Sequence, residues 1–240
     1  MKFNIQNPAF LQAAGTVGGT LETRFVLVEG QNQIGLSSNG EVIVKSIQGG
    51  EVVRETYGEL SNTIVTINAD ASTEVVIYGD VTKIDNIIQY PQNIFASLDV
   101  SKNTALTYLA CVNCTGLTSL DMSKNTALTY LDCNGCTGLT NLNVSKNTAL
   151  TDFDCDGCTG LTSLDVSKNT ALTYFVCGNC TGLTSINGIA VDSNVSTAIA
   201  SAITDATSVD GTVTLRQGDE FNQTIIDAAM EKGWDVQYYQ

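Results

Sequence analysis

The chain of 240 residues contains no histidine. That removes the side chain most often used as a general base near neutral pH. The sequence also lacks G-x-S-x-G, a phosphate-loop lysine motif and a dinucleotide-binding fingerprint. Basic residues are few: 11 Lys and Arg stand against 25 Asp and Glu, for a formal net charge of −14. Such a chain has no cationic footprint for nucleic acid, and it repels phosphate and anionic lipid. No segment approaches the roughly 20 apolar residues of a membrane-spanning helix. The first eight residues, MKFNIQNP, carry no apolar run of signal-peptide length. If Met1 is the true start, the usual secretory route is not expected, and release by lysis as part of a phage particle is a route still open. Together these absences predict a protein that is not an enzyme, holds no cofactor, and takes neither nucleic acid nor membrane as a partner.

What the sequence does have is internal repetition. Four blocks of 22 residues run from Ser97 to Thr184, the second reading SLDMSKNTALTYLDCNGCTGLT. Each such unit buries its apolar face only by stacking on its neighbours. Every block divides into two half-turns of 11 residues, for example Leu117-x-x-Leu120-x-Met122-x-x-Asn125 and Leu128-x-x-Leu131-x-Cys133-x-x-Cys136. Both fit L-x-x-L-x-L-x-x-N/C. The alternation L-x-L or L-x-C predicts a short strand with one face inward, and the Asn-Thr-Ala and Cys-Thr-Gly segments predict the corners.

The phrase LTSLDMSKNTALTYLDC (117–133) and its copies resemble the short leucine-rich repeats of bacterial internalin-type and surface proteins, which occur in gut-bacterial and phage proteins as well. The resemblance covers about residues 95–185 and extends weakly to VVIYGDVTKIDN at 75–86, which reads as an irregular preceding coil. It implies a mainly β solenoid, a right-handed leucine-rich-repeat coil, in which the cysteine-bearing half forms the concave parallel sheet at 108–112, 130–134, 152–156 and 174–178. On the frame alone either half fits that role.

Eight cysteines form four C-x-x-C pairs: Cys111/Cys114, Cys133/Cys136, Cys155/Cys158 and Cys177/Cys180. Their spacing alone fits zinc. The repeat frame favours another role. Each first cysteine stands where the frame places an inward leucine, and each second where it places the corner asparagine. Buried free thiols behave as small hydrophobes with a weak donor. Stacked coils would set them in two ladders with rungs roughly 4.8 Å apart, and parallel stacked side chains have poor torsions for disulfides. A structural thiol ladder is therefore expected rather than a metal site.

The repeats differ at outward positions of the cysteine-bearing strand. These read Tyr108, Tyr130, Asp152, Tyr174; then Ala110, Asp132, Asp154, Val176; then Val112, Asn134, Asp156, Gly178. Variation on one face of a constant scaffold fits a binding surface, and neutral drift at solvated positions predicts the same pattern. As a surface it is aromatic and acidic, with candidate binding residues Tyr108, Tyr130, Asp132, Asp152, Asp154, Asp156 and Tyr174. Its four carboxylates suit calcium, a Lys/Arg-rich partner, or merely a solvated patch. The other half-turn repeats Asp99, Asp121, Asn143, Asp165 and Lys102, Lys124, Lys146, Lys168, a near-constant set that reads as structural.

Three regions follow. Residues 1–72 read as an N-terminal β-rich domain, with a short helix from Asn7-Pro8 to Gly15 and strands at 24–28, 42–47, 52–56 and 63–67. Residues 73–190 are the solenoid. Residues 191–240 are an α/β cap in which strand, helix and strand continue the parallel sheet. About 70 N-terminal residues exceed a simple cap and favour docking to a larger assembly. The sequence thus predicts a binding or assembly protein. The leading expectation is a phage virion component (tail, fibre or head decoration) located in the virion. The alternatives are a bacterial cell-surface or extracellular adhesin, and a zinc-binding C-x-x-C protein. Expected partners are proteins: other virion components, a host-surface molecule, or further copies in a homo-oligomer.

Overall fold

The computed structural model describes residues 22–27, 30–48, 51–69, 73–86, 94–188, 193–207, 211–216 and 222–239. The helix expected from Asn7-Pro8 to Gly15 lies outside them. Among the described residues the chain is mostly β, with two helices.

The repeats stack as the 22-residue period requires. The cysteine-bearing half-turns give three-residue strands β9 (Tyr108–Ala110), β11 (Tyr130–Asp132), β13 (Asp152–Asp154) and β15 (Tyr174–Val176). These pair in parallel with equivalent residues opposed: Leu109, Leu131, Phe153 and Phe175 follow one another across the sheet. The other half-turns give a second row, β10 (Ser119–Asp121), β12 (Asn141–Asn143), β14 (Ser163–Asp165) and β16 (Ser185–Gly188). That row pairs as β10 with β12 and β14 with β16. The cysteine-bearing row thus carries the longer continuous sheet. Its inward Leu and Phe side chains are fully or almost fully buried, each worth roughly 1.5–3 kcal/mol by burial.

Corners are closed by polar side chains that reach back one coil. Asn125 Nδ2 donates to the carbonyls of Val100 (3.0 Å) and Asn103 (2.7 Å). Asn147 does the same to Met122 and Asn125, and Asn169 to Val144 and Asn147. These asparagines are buried, and each adds a second hydrogen bond to carbonyls that already accept a backbone N–H within their own turn, tying one coil to the next. On the outside, Asp99, Asp121, Asn143 and Asp165 each accept the N–H of the serine two residues on. Their near-constancy is a turn requirement.

The N-terminal strands do not stand apart from the coils. They are β1 (Glu22–Leu27), β2 (Gly30–Ser38), β3 (Glu41–Gln48), β4 (Glu51–Glu59), β5 (Thr63–Ala69), β6 (Glu74–Tyr78), β7 (Val81–Asp85) and β8 (Phe95–Asp99). One sheet runs β4-β3-β6-β1-β8, ending at the first strand of the second row. The other runs β5-β2-β7 and passes directly into β9. Strand β7 pairs in parallel with β9, Ile84 facing Leu109, as though it were one more coil. The stretch 75–86, read as an irregular coil, is thus split between two sheets. Strand β2 was absent from the sequence reading. Its segment GQNQIGLSS is too polar and glycine-rich to signal a strand, and its long pairings with β5 and β7 supply what propensity does not.

At the other end, helix α1 (Ser193–Asp205), β17 (Thr212–Arg216), helix α2 (Asn222–Lys232) and β18 (Asp235–Tyr239) close the stack. Strands β17 and β18 are parallel and extend the sheet of β14 and β16. The cap thus continues a parallel sheet, and the sheet it continues is that of the second row. Helix α1 lies beside β15 instead, where the Cys177 thiol donates to the Ala198 carbonyl (3.1 Å). One hydrophobic core runs from Ile34 through the coils to Trp234.

Candidate functional site: the outward face of the cysteine-bearing sheet

The inner side of this sheet is built from thiols. All eight cysteines are free and buried. Cys114 reaches the Val112 carbonyl of its own turn (3.8 Å), whereas the second cysteines of the last three pairs donate one coil back: Cys136 to the Cys111 carbonyl (3.0 Å), Cys158 to that of Cys133 (3.2 Å) and Cys180 to that of Cys155 (3.1 Å). This is the register of the asparagine ladder, with one donor in place of two. Thiol–thiol hydrogen bonds to Cys136, Cys158 and Cys180, together with burial, hold Cys111, Cys133 and Cys155 well above the ordinary thiol range. Burial pushes Cys114 up to about 12. The same thiol–thiol bonds lower Cys136 and Cys180; by geometry Cys136, Cys158 and Cys180 are each turned to a backbone carbonyl. Among the described residues no group of three or more Cys, Asp or Glu side chains converges to hold a metal ion.

The outer side carries the predicted residues in columns. Register places Lys83, Tyr108, Tyr130, Asp152 and Tyr174 in one column, and Asp85, Ala110, Asp132, Asp154 and Val176 in the next. Tyr108 and Tyr130 stack face to face, ring centroids 4.1 Å apart and planes 3° from parallel. Lys83 lies over the Tyr108 ring at 4.4 Å and pairs with Asp85 at 3.1 Å. Tyr130 OH donates to Asp132 Oδ2 (3.3 Å). Tyr174, beyond Asp152, is 52% exposed.

The carboxylates have local partners. Asp132 accepts the N–H of Asn134 (3.0 Å) and Asp154 that of Asp156 (2.9 Å), the same turn closure that Asp121 provides in the second row. Asp152 accepts the Thr151 hydroxyl (2.6 Å). Asp156 lies at the corner and accepts Asn179 Nδ2 (3.1 Å), beside Asp205 of the cap helix, which accepts the Asn179 N–H (2.8 Å). The four aspartates expected to crowd together are therefore spread over three columns, two of them serving turns. Burial still raises Asp132 and Asp154, reinforced by repulsion from Asp154 and Asp85 on the first and from Asp156 on the second. Burial likewise raises Tyr108 and Tyr130, so both phenols stay neutral.

Sequence reasoning missed Lys83 and Asp85. The signal was V-T-K-I-D-N at 81–86, matching L-T-Y-L-A-C at 106–111 position for position. Thr107 N–H and Oγ1 both donate to the Thr82 carbonyl, as Thr129 does to Thr107. Asn86 takes the place of the first cysteine and bonds both N–H and C=O of Val112 (2.9 and 2.7 Å).

No family model matches the chain, and no curated protein matches it. Among solved structures it is similar to the functional domain of InlJ from Listeria monocytogenes, described as including a cysteine ladder. The identity is 25% over 58% of this chain and 36% of that one, with a TM-score of 0.25. The chain thus spans about a third of that structure's length. The stacking described above stands on strand register and not on this likeness.

Proposed function

We propose that the chain is a non-enzymatic, adhesin-type binding protein built as a leucine-rich-repeat solenoid, and that its outward cysteine-row face meets a protein partner. One observation carries this reading. Inward positions of β9, β11, β13 and β15 hold only Leu and Phe, each strand being followed by an inward Cys, while the same strands present Tyr, Asp and Val outward on one continuous sheet, Ala110 being covered. A rigid scaffold with aromatic anchors and polar neighbours suits recognition. The non-enzymatic reading is supported by the absence of histidine from the chain and by thiols that are buried and hydrogen-bonded. The virion expectation is not carried forward. It rested on the lack of a signal-like run in the first residues together with the repeats' resemblance to adhesion modules, and the likeness to a solved structure lends it no support.

The test is binding of the full chain to arrays of cell-surface proteins and glycans. A face variant, Tyr130→Ser/Asp154→Ser/Tyr174→Ser, is compared with a second-row variant, Lys124→Ser/Lys146→Ser, after circular dichroism shows that both fold. Signal lost only in the face variant supports the proposal. Equal signal in both, or loss only in the second-row variant, contradicts it.

A further inference from the structure

The face already holds one cation. Lys83 sits with its ammonium over the Tyr108 ring and 3.1 Å from the Asp85 carboxylate, supplied by the chain's own first coil. Strand register repeats that seat along the sheet. Tyr174 stands to Asp154 on the preceding strand as Tyr108 stands to Asp85, with Asp152 in the place of Lys83. At the far end no lysine fills the column. Asp152 stands between Tyr130 and Tyr174, and the Tyr174 ring is half open to solvent.

We propose that this end of the face seats a basic side chain, lysine or arginine, from a polypeptide partner, with its cationic head against Tyr174 beside Asp152 and Asp154. The proposal rests on the binding reading above and names the chemistry of the partner. Charge favours it at two ranges. The chain's net charge of −14 draws a basic segment in from a distance. Close by, Asp154 is repelled by Asp156 and itself repels Asp132 on the neighbouring strand, and a cation relieves that repulsion. An organic cation fits better than a hydrated metal ion. An aromatic face attracts weakly hydrated ammonium and guanidinium groups, and the Asp154 carboxylate is already turned to the N–H of Asp156.

The experiment is a two-dimensional NMR titration of the full chain with capped tri-arginine, with tri-serine and tri-glutamate as controls. Tri-arginine is expected to shift the amides of Asp152, Asp154 and Tyr174 saturably, and less so as salt rises. Tyr174→Ala and Asp154→Asn should each weaken it by about five- to tenfold, while Tyr174→Phe retains it. Asp165→Asn in the second row, whose turn role Asn143 shows an amide can fill, should leave it unchanged. In Lys83→Ser, tri-arginine should additionally perturb Tyr108 and Asp85. Shifts spread evenly over the acidic surface, or affinity indifferent to Tyr174→Ala and Asp154→Asn, overturn the proposal. Tri-serine or tri-glutamate occupying the same residues in place of tri-arginine also overturns it, while leaving the face a binding surface.

Discussion

The Cys158 thiol donates to the main-chain carbonyl of Cys133 across 3.2 Å, a span of 25 residues that equals the span from Asn147 to Met122 in the opposite corner. Sulfur and amide thus perform one task, returning a hydrogen bond to a carbonyl of the preceding coil. Cys158→Ala should remove that donor and leave a small void, lowering stability by about 1–3 kcal/mol. Cys158→Ser keeps a donor and should cost less. Urea unfolding midpoints of the two variants check the order. An alanine variant as stable as the parent would mean that the contact contributes nothing.

The face carries a cost that pH should reveal. Asp132 and Asp154 are raised by burial and by neighbouring carboxylates. The native state therefore binds their protons more tightly than the unfolded chain does, and stability falls as pH rises through their folded-state range. Below the ordinary carboxylate range of about 4 the effect vanishes, because both states are protonated. Asp132→Asn and Asp154→Asn keep an acceptor for the turn N–H, as Asn143 does for Ser145. Each should add about 0.5–1 kcal/mol at pH 7 and nothing near pH 3. Thermal melts at both pH values decide it; a gain that persists at pH 3 would point to a cause other than charge.

Stacking also explains a contrast between two glycines in equivalent Cys-Thr-Gly corners. A Cβ on Gly160 would lie 2.7 Å from the Thr137 carbonyl and 2.9 Å from that of Leu139 in the coil before. Among the described residues, the nearest neighbour of a Cβ on Gly116 would be Ala96 Cα at 3.6 Å. Gly160→Ala should therefore cost about 1–3 kcal/mol. Gly116→Ala should be neutral, or gain up to about 1 kcal/mol through the unfolded chain. Equal effects in the two variants would contradict the stacking at this corner.

The repeat made the coils legible because inward Leu, Phe and Cys recur at fixed spacing while Tyr, Asp, Ala and Val alternate with them. Helix α1 was legible from the spacing of Val195, Ile199, Ala202 and Ile203. What the sequence could not show was pairing between distant segments. Strand β2 gains its place from β5 and β7, not from its own residues. The cap joins the second row because β16 and β17 register, with Ile186 opposite Val213. At the candidate site the tyrosine and aspartate columns followed from the repeat, whereas Lys83 and Asp85 were hidden by an imperfect first coil. The turn role of Asp132 and Asp154 was also hidden, since an outward carboxylate looks the same in sequence whether it binds a ligand or a neighbouring N–H.

Everything on the outer face depends on the sulfurs filling the interior, so their accessibility is the most direct measurement. Native protein alkylated at pH 8 and weighed by mass spectrometry should carry no label, and the unfolded chain should carry eight, one for each free buried cysteine. Labelling of the native chain at the rate of an exposed thiol, or stoichiometric metal released as labelling proceeds, would contradict a dry thiol ladder and with it the stack of coils.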